Sequence, residues 1–221
     1  MSVLGSAESW IDLLERMLPE LLHLVIETWS TIARPFADDK EDHITELLCR
    51  SLHHNRTVRD LPFYIHTQMV ELDPAPGQEL GRLDIVFLPT GLAGAPSEAI
   101  YFCLECKRLN VVRNGQKRPG GSDYVLHGMV RFVSGQYANV VRHGGMLGYV
   151  LNDDVPAAIT NVESNVQNHH VTLGMEPPGL LHQSSIITGL STARESLHRR
   201  AQGPTPFRIH HLFVDAKGPQ T

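Results

Sequence analysis

Apolar residues over 8–33 recur at three- and four-residue steps, with Trp10, Leu14, Met17, Leu21 and Leu24 on one stripe. That is the period of an amphipathic helix. Pro19 predicts a bend or a second helix start within it, and Arg34-Pro35 predicts its end. A second helix is expected over 38–53, with Asp38 and Asp39 at its N-terminus and Ile44, Leu47, Leu48 and Leu52 as its stripe. The period then changes to that of strands. Phe63 to Leu72 and Arg82 to Leu88 read as strands, joined by a turn at Asp73 to Gly77. Pro89 to Ser97 reads as a small-residue loop. Ala99 to Lys107 is apolar almost throughout until Glu105, which suits a strand buried on both faces.

Residues 110–122 are rich in glycine and basic side chains and read as a mobile loop. A helix is expected over 123–142, carrying Met129, Phe132, Val133, Tyr137, Val140 and Val141. Met146 to Leu151 reads as a strand, Val155 to Gln167 as a helix, Ser185 to Gly189 as a short strand and Phe207 to Val214 as the last strand. This order predicts an α/β (α+β) fold built on a central mixed sheet, in one domain over 1–221.

Composition narrows the classes. The 221 residues are 42% hydrophobic with no low-complexity tract, so a globular chain is expected. No run approaches the ~20 apolar residues of a membrane span, and residues 1–9 carry no basic-then-apolar leader. Three cysteines, Cys49, Cys103 and Cys106, suit buried free thiols in a reducing cytoplasm. One C-x-x-C without a second pair lacks the ligands of a zinc site. The net charge is −5, yet charge is unevenly spread. Residues 1–46 hold ten acids and three bases, whereas 107–142 hold seven bases and one acid. Such a basic segment can neutralise phosphates, and a solvated basic face would read the same way.

The chemistry centres on two short segments, Gly81-Arg-Leu-Asp84 and Glu105-Cys-Lys107. In a strand, residues two apart share a face, so Glu105 and Lys107 point the same way and Cys106 the other. Asp84, from the neighbouring strand, adds a second carboxylate. Two carboxylates and a main-chain carbonyl such as that of Cys106 form a donor set for Mg2+ or Mn2+. Lys107 is then placed to orient water or to stabilise developing negative charge. Asp-x-Lys occurs again at Asp38/Lys40 and Asp215/Lys217, but without a preceding strand acid. On the second helix Glu41 shares a face with Ile44 and Leu48, whereas Glu46 lies off that stripe. A helix N-terminal acid would occupy that position equally well.

These segments resemble those of the PD-(D/E)XK, restriction-endonuclease-like nucleases, over roughly residues 38–151. Leu83 stands where the family name has proline. The resemblance implies a core of helix, three strands, helix and strand. Residues 1–35 would be a helical extension and 152–221 would complete the sheet. It further implies a Mg2+-dependent hydrolase with Asp84, Glu105 and Lys107 catalytic and a glutamate of the first core helix, Glu41 favoured over Glu46, as an auxiliary metal or substrate ligand, acting on DNA ahead of RNA, in a bacterial defence, toxin or repair setting. His127, Arg131, Gln136 and Tyr137 on the following helix would contact substrate, with core packing the stronger expectation for Tyr137. Arg113, Lys117 and Arg118 would clamp phosphates. A catalytically silent binding module on the same fold is the alternative. A third reading is a scaffold whose N-terminal stripe packs on the sheet, on a second copy or on another protein.

Thirteen histidines form no H-x-x-x-H pattern. Each adjacent pair, His53-His54, His169-His170 and His210-His211, is expected to have one buried and one exposed member. Gly189 to Ala193 lacks the final glycine of a nucleophile elbow, and no phosphate-loop motif is present.

Overall fold

A computed structural model describes residues 7–32, 39–72, 79–92 and 100–215. The turn expected at Asp73 to Gly77, the close at Arg34-Pro35, and both Asp38 and Lys217 lie outside the described residues. Helices α1 (Ala7–Thr31) and α2 (Glu41–Val58) come first, then strands β1 (Phe63–Leu72), β2 (Glu79–Pro89) and β3 (Phe102–Leu109). A hairpin of β4 (Val111–Arg113) and β5 (Gln116–Arg118) follows. Next come α3 (Gly121–Tyr124), a π-helical turn (Val125–Met129) and α4 (Val130–Val133). The described residues continue with β6 (His143–Val150), α5 (Val155–Asn168), β7 (His182–Gln183), β8 (Ala193–His198) and β9 (Phe207–Asp215).

The seven-stranded sheet has the order β1-β2-β3-β6-β9-β8-β7. β3, β6 and β9 run parallel, and the outer strands pair antiparallel on both sides. The fold is therefore mixed α/β, with a large mixed sheet flanked by helices. Trp29 of α1 stacks on Tyr149 on one face of the sheet, and Tyr124 of α3 stacks on Phe213 on the other. Tyr149 follows Gly148, the register partner of Phe213, so strand alternation puts these two contacts on opposite faces.

Several expectations change. α1 runs unbroken through Pro19, because Leu14, Leu18, Leu21, Leu22, Leu24 and Val25 are buried on both sides of it. Such burial offsets the ~3 kcal/mol an interior proline costs a helix. The buried part of that stripe packs within this chain, with Trp10 and Met17 partly buried against the same core. Within residues 110–122, expected as a loop, 111–118 form a hairpin, because Asn114 and Gly115 both take positive φ and make a two-residue turn.

The helix expected over 123–142 stops at Val133. Gly135, at φ 79°, turns the chain, and the buried Arg200 guanidinium donates to the carbonyls of Phe132, Ala138 and Val141. Tyr137, Ala138 and Val141 are thus buried from a loop whose spacing imitates a helix. Ser185 to Gly189 is a turn. Ser184 Oγ accepts the N–H groups of Ile186 and Ile187, and the Glu195 carboxylate accepts that of Ser185. The histidine pairs also differ from expectation. His53 and His54 are both exposed on α2, and His169 and His170 are both half-buried. His210 and His211 are both buried, because β9 is covered on both faces. No helix among the described residues is long and apolar enough to cross a membrane.

Candidate active site

β2 and β3 pair only at Phe87–Phe102, Val86–Cys103 and Ile85–Leu104. Asp84 and Glu105 are the next residues in that register, where the ladder has stopped. There the Asp84 carboxylate takes over the role of a main-chain carbonyl, its Oδ2 accepting the Cys106 N–H at 2.7 Å. The 134–142 loop holds β2 in this position. Tyr137 Oη donates to Arg82 O at 2.8 Å, and Gln136 Nε2 donates to Leu80 O. Gly81 allows the approach, since a Cβ there would lie 2.7 Å from Tyr137 Oη and 2.8 Å from Gln136 Nε2.

Glu105 is 1% exposed. Its Oε1 accepts from Lys107 Nζ at 2.8 Å and from Arg131 Nη1 at 2.9 Å. Its Oε2 is buried and has no hydrogen-bond partner. Lys107 Nζ also donates to Cys106 O at 2.8 Å and to Glu41 Oε1 at 3.1 Å. Glu41, the first residue of α2, uses its other oxygen to accept the Arg108 N–H at 2.9 Å, which fixes the helix end to β3. Arg131 Nη1 also donates to Tyr137 Oη at 3.0 Å. Asp84, Glu105, Lys107, Glu41 and Arg131 therefore lie together at the point where β2 leaves β3.

Burial pushes the Asp84 carboxyl up to about 7, with the Glu105 charge adding to the rise. Burial also raises Glu105, against the opposing pull of Lys107 and Arg131. Burial disfavours the Lys107 charge as well, but Glu105 and Glu41 outweigh it and hold the ammonium above its usual range. Two acids that resist ionisation beside a firmly protonated lysine are a common sign of a functional centre.

The other nominated residues divide. Tyr137 is buried, and its hydroxyl is occupied by Arg82 O and Arg131, so it supports the site instead of facing substrate. Gln136 is likewise spent on β2. The Cys106 carbonyl, nominated for a metal, is engaged by the Lys107 ammonium. His127 is exposed on the π-helical turn near Asp123. Lys117 and Arg118 are exposed on β5, and the Arg113 backbone belongs to β4. Cys103 and Cys106 are buried free thiols, and a separation of three along a strand sends them to opposite faces. Among the described residues no three His, Cys, Asp or Glu side chains converge as a metal cluster.

Gln68 and Arg200 were not singled out by pattern. Gln68, at φ 53° within β1, brings Nε2 to 3.4 Å from Asp84 Oδ1. Lying between Thr67 and Met69, the partners of Ile85 and Leu83, it sits directly across from Asp84. That position was readable once the β1–β2 register was known. Arg200 acts through loop carbonyls distant in sequence and left no local signal.

Comparison of the chain with protein-family models, with curated proteins and with solved structures finds no match.

Proposed function

We propose that this chain is a metal-dependent nuclease that hydrolyses phosphodiester bonds of DNA at the β2–β3 junction. One observation carries the reading. Glu105 is a buried carboxylate with one oxygen unpartnered, set beside Asp84 and Lys107 where the ladder opens. An orphaned buried oxygen costs about 1–3 kcal/mol, more for a charged group. A bound cation would recover that cost. The element order α2, β1, β2, β3, α3–α4, β6 supports a restriction-endonuclease-like core.

Asp84 and Glu105 fit Mg2+ or Mn2+, since such ions use one or two carboxylates and keep several waters. A bound ion would supply the positive charge needed to polarise a phosphodiester and activate water. The chain does the rest. Lys107 presents a permanent ammonium to the developing charge. Glu41 and the Arg108 N–H keep α2 against β3 so that the ammonium stays near Glu105. Arg131 holds Glu105 and Tyr137 in register, which keeps the carboxylate aimed. Lys117 and Arg118 are exposed on the hairpin that follows β3, free to meet a phosphate backbone.

A binding module without catalysis is favoured by one feature: Glu105 Oε1 already has two cationic donors, so the ion pairs partly satisfy themselves. Metal-dependent melting separates the two. The nuclease reading expects Mg2+ or Mn2+ to raise the melting temperature of the wild type and to leave Asp84→Ala unmoved. Indifference of both proteins to both ions favours the binding module.

A further inference from the structure

The Lys107 ammonium lies among three oxygens, two from its own strand β3 and one from α2. Cys106 O and Glu105 Oε1 are each 2.8 Å away, and Glu41 Oε1 is 3.1 Å away. Two carboxylates with a main-chain carbonyl are the donors a hard divalent cation selects. Of the three, the Glu105 carboxylate is a ligand proposed for the ion above, and the Cys106 carbonyl is the donor the sequence nominated for it. A hydrogen-bonded ammonium and a divalent ion cannot both use these oxygens, and their like charges repel strongly at such separations.

We propose that Lys107 fills the cation position of the metal-free protein, so that a divalent ion binds only as the ammonium swings out. This inference rests on the metal-dependent reading and gives it a control step. Lys107 competes with the ion before it serves the reaction. Glu105 makes the exchange possible. Its Oε2 is buried and unpartnered, so the carboxylate can first engage the ion through that oxygen and then give up the lysine from Oε1. The lysine is suited to move, being a point charge on a flexible four-carbon stem. Arg131 is suited to stay, because Tyr137 Oη and Glu105 Oε1 both fix its guanidinium. Ion entry would thus release an ammonium beside the place where a phosphate is to be cleaved. Ion and lysine then act in sequence on one group of oxygens.

The test is Mn2+ binding to the full chain, read from the electron paramagnetic resonance signal of free Mn2+, for the wild type and Lys107→Met. Removing a competing unit charge within contact distance should tighten Mn2+ binding by at least about tenfold. Equal or weaker binding by Lys107→Met overturns the proposal.

A second measurement needs no variant. Acetic anhydride labelling of the wild type, read by peptide mass spectrometry, should modify Lys107 several-fold faster with Mg2+ than with EDTA. The exposed Lys40 and Lys117 serve as internal references. A Lys107 rate unchanged or lowered by Mg2+ also overturns it.

The two levels fail separately. Equal Mn2+ affinity with metal-dependent cleavage by the wild type removes the competition and keeps the nuclease. Tighter binding by Lys107→Met with no cleavage of DNA by the wild type keeps the competition and removes the nuclease. Absence of Mn2+ binding by both proteins removes both.

Discussion

Asp84→Asn should make the metal-free protein more stable at pH 8 and almost neutral at pH 4. The Asp84 carboxyl is pushed from 3.8 to about 7, first by burial and then by the Glu105 charge. An acid whose folded value lies above its unfolded value favours the fold while protonated. Between 3.8 and about 7 the unfolded chain ionises first, so stability falls as pH rises, and above 7 the penalty stays constant. Three units at 1.36 kcal/mol each amount to about 4 kcal/mol. Solvent reaching the half-buried carboxylate lowers this, and we expect about 2–4 kcal/mol at pH 8. At pH 4 the difference shrinks to less than about 1 kcal/mol. Asparagine can keep the Cys106 N–H bond through its carbonyl oxygen, so little else is lost. Urea denaturation in EDTA at the two pH values measures the difference. A loss of stability of the same size at both pH values would refute the reasoning, because Asp84 would then be a structural acceptor whose charge costs nothing.

Gly81→Ala should destabilise by about 1–3 kcal/mol in thermal melts, since its Cβ meets the buried Tyr137 hydroxyl. The Gln136 amide can shift aside, but the tyrosine cannot. Arg131→Ala should lower stability by a similar ~1–3 kcal/mol, because it leaves Glu105 with a single cation and Tyr137 Oη without its donor. Lys117→Ala and Arg118→Ala, both on the exposed β5, should leave melting unchanged. Each should reduce the slope of log affinity for DNA against log salt by about one, if the hairpin tracks phosphates.

The catalytic candidates were legible because strand alternation is a local rule. Glu105 and Lys107 share a face whatever the rest of the chain does, and both reach the same cluster. Glu41 followed from its place on the α2 stripe, and the fold puts its carboxylate on Lys107 and Arg108. What remained hidden depends on contacts between distant segments. Phe132, Val133, Tyr137, Val140 and Val141 have helical spacing, yet the helix ends at Val133 because Arg200 gathers the loop carbonyls and Gln136 and Tyr137 reach across to β2. The adjacent histidines misled for a related reason. Alternation implies one face in water, and β9 has neither face there, so His211 bonds to Tyr124 and Ser196 while His210 stacks on His143. Nor could any local pattern show that the Cys106 carbonyl would be occupied by its neighbouring lysine.

Cleavage tests the central claim most directly. Supercoiled plasmid and labelled single-stranded DNA are incubated with Mg2+ or Mn2+ and the wild type, with Glu105→Gln and Lys107→Ala run alongside. The account predicts metal-dependent nicking or degradation by the wild type that EDTA stops and that both variants lose. Cleavage that persists in folded Glu105→Gln and Lys107→Ala, or that proceeds equally in EDTA, would contradict it.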